Sequence, residues 1–122
     1  MLEIPRRVDK PWGYELIWAE TEDYVGKILH VKAGEALSLQ YHEIKDETLF
    51  LMNGQLLLQA GHSKEELSDF EMVEGQSFHV HPRMIHRIIA TSDCDIFEAS
   101  TPHLDDVVRL EDRYERVPRD SG

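Results

Sequence analysis

Along most of the chain, apolar and polar residues alternate with a period of two, and turn residues interrupt the alternation every few positions. Side chains on a strand point alternately to opposite faces, so this pattern predicts short β-strands with one buried face. Tyr14–Ala19 sets Tyr14, Leu16 and Trp18 on one side, and Val25–Lys32 opposes Lys27, Leu29 and Val31 to Ile28 and His30. Further strands are expected around Gln40 and His42, over Thr48–Met52, Gln55–Ala60, Phe70–Val73, Ser77–Val80, His86–Thr91 and Asp95–Ser100. Asn53-Gly54 reads as a tight hairpin turn, Ala33-Gly34 and Glu74-Gly75 as turns, His81-Pro82 as a corner and Gly61–Asp69 as a polar loop. Pro5 and Pro11 keep residues 1–13 extended and out of a helix, as an arm that either lies across a neighbouring subunit or frays. In the tail, Val107, Leu110 and Tyr114 have helical spacing, yet Val107-Val108 suits a strand edge. An extended segment with one helical turn is expected there. Many short strands with no repeat and no amphipathic helix mean an all-β barrel or sandwich.

The chemistry concentrates between Gly34 and Gly54. Gln40 and His42 stand two apart, so a strand presents both on one face, and Glu47 follows where the chain re-enters an apolar run. Two antiparallel strands closed by Asn53-Gly54 would bring the three onto one inner surface, with His86 as a fourth donor. Two imidazoles, a carboxylate and an amide carbonyl form a set of borderline hardness that suits one divalent ion, Zn²⁺, Mn²⁺, Fe²⁺, Co²⁺ or Ni²⁺. The amide oxygen of Gln40 is a weaker donor than an imidazole, so the site should tolerate several metals.

Gly34, His42, Glu47 and Gly54 fall on the first motif of the cupin superfamily, with Gln40 in the place of its first histidine. Gly75, Pro82 (one residue displaced) and His86 match the second motif. More narrowly, Lys10–Glu15 (KPWGYE), Leu37–His42 (LSLQYH) and Asp105–Arg116 (DDVVRLEDRYER) resemble the cupin domain that ends the bifunctional type II mannose-6-phosphate isomerases. The resemblance implies a double-stranded β-helix, a jelly-roll cupin barrel. It also implies a metal held by Gln40, His42, Glu47 and His86, and an aldose–ketose isomerase acting on a phosphorylated sugar. Three positions depart: His81 stands where the second cupin motif has proline, Arg83 where it has glycine, and Glu115 replaces the glycine between the last tyrosine and arginine of the isomerases' closing motif.

A chain of 122 residues fits a single domain, 1–122, with an arm at 1–13 and a tail at 105–122. The net charge of −11, from 13 basic and 24 acidic residues, opposes nucleic-acid and anionic-membrane binding. One cysteine, Cys94, excludes an internal disulfide and fits a reducing cytoplasm. The start, MLEIPRRVDK, carries no apolar leader stretch, and no run approaches a membrane span. Open sheet edges and the arm lead to an expected homodimer.

Because cations are scarce, Lys27, Arg83, Arg87, Arg109, Arg113 and Arg116 are candidates either for gripping a phosphate or for surface ion pairs. Lys27, Arg83, Arg109 and Arg116 are the substrate-binding set, with Arg109 and Arg116 matching arginines of the family's closing motif. Arg83 either holds an anionic substrate or points to solvent. His79 and His81 either face the cavity mouth or lie exposed beside a loop. Trp12 is either a packing anchor or a platform for a sugar ring. Glu98 shares a face with Ile96 and Ser100, and if that face is inward it is the acid/base candidate, with His81 beside it. Two further functions stand beside the isomerase: a metal-dependent oxygenase, and a non-catalytic module binding a sugar or metabolite. The second follows from the expected absence of a nucleotidyltransferase half.

Overall fold

The computed structural model of the protein describes residues 1–116. Eleven strands form two antiparallel sheets, and no helix occurs among the described residues. The strands are β1 (Arg6–Lys10), β2 (Gly13–Glu20), β3 (Val25–Val31), β4 (Leu39–Tyr41), β5 (Glu47–Asn53) and β6 (Leu56–Gly61). They continue with β7 (Ser68–Met72), β8 (Ser77–Val80), β9 (Ile85–Ala90), β10 (Cys94–Ser100) and β11 (Val108–Glu111). One sheet has the order β1-β2-β3-β10-β5-β8 and the other β11-β4-β9-β6-β7. The expected all-β jelly roll is what forms.

The alternation that predicts the strands also sets their burial. Leu56, Leu58 and Ala60 on β6, and Ile88 and Ala90 on β9, turn inward and meet Leu29, Val31, Leu49, Leu51 and Ile96 from the facing sheet. Trp12 is 2% exposed and joins this core, so it is a packing anchor.

Three expectations about the elements need correction. Asn53-Gly54 is not the turn of a hairpin: β5 pairs with β10 and β8, whereas β6 pairs with β9 and β7, so the turn carries the chain between sheets. Gly54 is required there because its φ is +91° and an added Cβ would lie 2.1 Å from the Asp93 carbonyl oxygen. The extended arm is partly a strand, since residues 6–10 pair with β2 of their own chain. The polar loop is shorter than expected, because β6 and β7 run on as a hairpin to Ala60↔Ser68. The tail does form an ordered strand, β11, and 117–122 lie outside the described residues.

Two residues other than glycine have left-handed backbones among the described residues, Arg83 at φ 70° and Glu115 at φ 60°. Arg83 stands where the second cupin motif has glycine, and Glu115 where the closing motif of the isomerases has it. At 81–84 the Met84 N–H donates to the His81 carbonyl, with Pro82 and Arg83 in the central positions. That is a turn whose third residue needs positive φ. The backbone keeps the glycine conformation although the side chain has changed.

Candidate metal centre

His42, at the end of β4, and His86, on β9, belong to one sheet, and Glu47 opens β5 in the other. The three side chains converge between the sheets, each 5% exposed or less. Glu47 Oε1 lies 3.6 Å from His42 Nε2 and 3.5 Å from His86 Nε2, and the donor atoms of all three fall within 4.8 Å of one another. Donors bound about 2.1 Å from a shared ion lie about 3–3.5 Å apart, so the spacing fits a metal. Among the described residues this is the one cluster of three such side chains.

The tautomers agree with that use. His42 Nδ1 is 2.6 Å from the Asp106 carbonyl oxygen and His86 Nδ1 is 3.0 Å from that of Met84. A carbonyl only accepts, so both Nδ1 atoms carry a proton there, and it is the two Nε2 atoms, aimed at Glu47, that are placed to ligate an ion. Gln40 is the register partner of His86 across β4 and β9 and lines the same cavity. The four residues therefore come together, but from two sheets rather than from one pair of strands.

Beside the donors runs a ladder of alternating charge. Lys45 Nζ lies 2.9 Å from Glu47 Oε2 and 2.8 Å from Glu98 Oε2. Lys27 Nζ lies 3.8 Å from Glu98 Oε2 and 3.3 Å from Glu15 Oε2. The contacts of Lys45 are ion pairs at close range rather than directed hydrogen bonds, since neither Oε2 has an aligned donor. Burial alone would strip the proton from Lys45, but Glu98 and Glu47 outweigh it and hold the ammonium charged. Burial would likewise push Glu47 up, and the two imidazoles and Lys45 instead hold it well below the carboxylate range. Glu98 goes the other way: burial and the nearby charge of Glu47 push it up, against the pull of Lys45 and Lys27. Glu98 thus faces inward, as an acid/base group must.

A cavity of about 400 Å³ opens from the cluster, with Lys27, Gln40, Lys45, Glu98 and Arg109 in its walls. Arg109 also lines a small adjoining recess with Lys10 and Arg116. Burial, then the neighbouring Arg116 charge, pull Arg109 below the ordinary guanidinium value, and its Nε has no partner. Arg116 folds back on Asp112, with Nε 2.6 Å from Oδ2. Arg83 does not line the cavity: its side chain is 78% exposed and runs toward Glu43, 3.5 Å away. Its backbone N–H does reach the site, donating to the His42 carbonyl at 2.6 Å. His81 is also outside, exposed, with its ring tilted 49° to that of His79 at 3.9 Å between centroids, and His79 in turn meets Asp46. Arg87 pairs with Glu111, and Arg113 donates to the Gly34 carbonyl.

Sequence reasoning missed Lys45 and Asp106. Lys45 had a local signal, because it stands two before Glu47 and an extended chain puts both on one face. Asp106 had only its place in the family-like stretch Asp105–Arg116, which gave no role: its carboxylate accepts from the N–H groups of Glu43, Ile44 and Lys45, more than 60 residues earlier, while its carbonyl orients His42.

Solved structures support the architecture. The capsular polysaccharide assembling protein CapF from Staphylococcus aureus superposes with a TM-score of 0.77 at 15% identity, over 88% of this chain and 34% of its own. KdgF from Halomonas sp. gives 0.69 at 18% identity, over 80% and 87%. A mutant form of Bacillus subtilis oxalate decarboxylase OxdC gives 0.76 at 14%, over 87% and 30%. This chain therefore spans about a third of CapF and of OxdC, and at these identities the likeness is one of fold. No curated protein matches the chain. Residues 1–112 match the family described as Mannose-6-phosphate isomerase C-terminal, and with its inward His, Glu and His on a cupin jelly roll the chain belongs to that family.

Proposed function

We propose that the protein is a metal-dependent aldose–ketose isomerase acting on a phosphorylated sugar of the mannose 6-phosphate kind. The observation that carries this reading is the convergence of His42, Glu47 and His86 on one point beside a buried carboxylate, Glu98, in a cavity rimmed by arginine. A divalent ion bound there would act as a Lewis acid on the sugar's carbonyl and neighbouring hydroxyl. Gln40, His42, Glu47 and His86 hold the ion. Glu98, from the facing wall, takes the proton from one carbon and returns it to the next, and its raised basicity suits it to the task. Arg109, with a free buried Nε, binds the phosphate at the mouth, and Arg116 and Lys10 add positive charge behind it. Lys27 fixes the carboxylates of Glu15 and Glu98 in place. The test is to load the protein separately with Zn²⁺, Mn²⁺ and Co²⁺ and follow interconversion of mannose 6-phosphate and fructose 6-phosphate. Turnover in no metal form would end the reading.

One contact favours a second reading, a module that binds the sugar phosphate without converting it. Glu98 sits 2.8 Å from the Lys45 ammonium, which competes for its lone pair. A rise in melting temperature with hexose phosphate but no turnover is the result that selects it.

A further inference from the structure

The metal donors account for one oxygen of Glu47; the other oxygen and Glu98 remain to be explained. A carboxylate free at both oxygens can chelate an ion and occupy two of its positions. A second carboxylate within reach can take a third. Here both are tied to one side chain. Lys45 is 4% exposed, and its ammonium stands between Glu47 Oε2 and Glu98 Oε2, while Glu47 Oε1 alone faces the imidazoles. Lys45 is itself held firmly, since its backbone N–H donates to Asp106 Oδ2 at 2.9 Å. The same Asp106 orients His42, so the loop fixes ligand and ammonium together. Lys27, at 3.8 Å, meets the same Oε2 of Glu98 as Lys45 does.

We propose that Lys45 is a positioning residue for the metal, restricting Glu47 to one-oxygen coordination and keeping Glu98 off the ion. The ion then retains adjacent open positions on the cavity side, the arrangement required by a ligand that chelates through two neighbouring oxygens. Such ligands include a hydroxy-carbonyl sugar and a hydroxy acid. This rests on the metal site proposed above. The ammonium also repels the ion, so it trades metal affinity for open positions.

Mn²⁺ alone is the probe, with its dissociation constant and the number of rapidly exchanging water ligands measured by water-proton relaxation. A six-coordinate Mn²⁺ with four protein donors keeps about two waters in the wild-type protein. Lys45→Met, which retains length but not charge, should lose at least one of them as Glu47 or Glu98 closes on the ion. It should also bind Mn²⁺ about tenfold more tightly, the repulsion having gone. Lys45→Arg, which keeps the charge, should retain the wild-type water count. A role in folding alone would weaken binding and leave the count unchanged, and that result in Lys45→Met overturns the proposal. If Lys45→Met does not fold, the wild-type count decides: no exchangeable water overturns the proposal, and about two waters supports it. Failure of the wild type to bind Mn²⁺ at all overturns the metal site itself and this proposal with it, an outcome distinct from binding with no open position.

Discussion

The two halves of the barrel interior follow one rule and reach opposite ends. On β10 the inward residues run Cys94, Ile96, Glu98, Ser100, and on β3 they run Val31, Leu29, Lys27. On β5 they run Leu51, Leu49, Glu47, and on β9 Ala90, Ile88, His86. Each strand therefore has one end in a dry, close-packed half and the other in a half that buries charge. The dry half supplies the transfer free energy that holds the sheets together. The charged half would be costly by itself, and it persists because its groups are paired across strands within a rigid frame. Stability and chemistry are thus separated along the barrel axis rather than between core and surface.

Substitutions in the two halves should give different signatures. Leu51, fully buried in the dry half, should cost about 2–5 kcal/mol when replaced by alanine. Denaturant melts measure this, and metal bound per folded molecule should not change. If Leu51→Ala also loses metal, the halves are not separable.

Asp106→Ala should act mainly on stability, because its carboxylate caps the 43–45 loop, whereas the carbonyl that accepts from His42 Nδ1 belongs to the backbone and is retained. The loss of three hydrogen bonds to a half-exposed carboxylate should cost about 1–3 kcal/mol. Metal affinity should fall by less than the roughly tenfold expected when a group that orients a ligand is lost. A loss of affinity of about 100-fold would show instead that the capped 43–45 loop, and not the carbonyl alone, holds His42 in place.

The halves should also respond to opposite ends of the pH scale. Burial tends to raise Asp106, but the N–H donors of Ile44, Lys45 and Glu43 prevail and leave it below its unfolded value. Its stabilisation is therefore present above about pH 4 and lost as pH falls through the depressed folded value. The Cys94 thiol, in the dry half, is pushed up by burial. Its contribution is complete below about pH 8.5 and declines as pH rises toward the raised folded value. Melting temperatures across pH check both signs, with Asp106→Asn flattening the acid limb and Cys94→Ala the alkaline one. The smallest effect is expected outside both halves. Arg83→Gly relieves a left-handed arginine and should stabilise by about 0.5–1 kcal/mol after the greater freedom of glycine in the unfolded chain is counted. Metal affinity should stay the same, because the backbone N–H that meets His42 is retained.

The sequence made the strands legible because alternation is a local property, and the family spacing picked out His42, Glu47 and His86. Pairing was less legible. Asn53-Gly54 carries a hairpin signal, but a jelly roll pairs β5 with β10 and β8, and no local rule sees partners 27 to 53 residues away. The site was misread in the same way, as two neighbouring strands rather than the seam between two sheets. Side-chain direction was least legible. Arg83 and His81 lie beside the second motif yet point outward from a turn, whereas Lys45, in an unmarked loop, points in.

The central claim is that the charged half is a metal site, and metal titration of the purified, chelator-stripped protein against its His86→Ala variant tests it most directly. The account predicts one divalent ion per wild-type chain and none retained by a folded His86→Ala, with His62→Ala, at an exposed histidine that does not line the cavity, behaving as wild type. Wild-type protein that takes up no ion, or a His86→Ala variant that holds one as tightly, would contradict it.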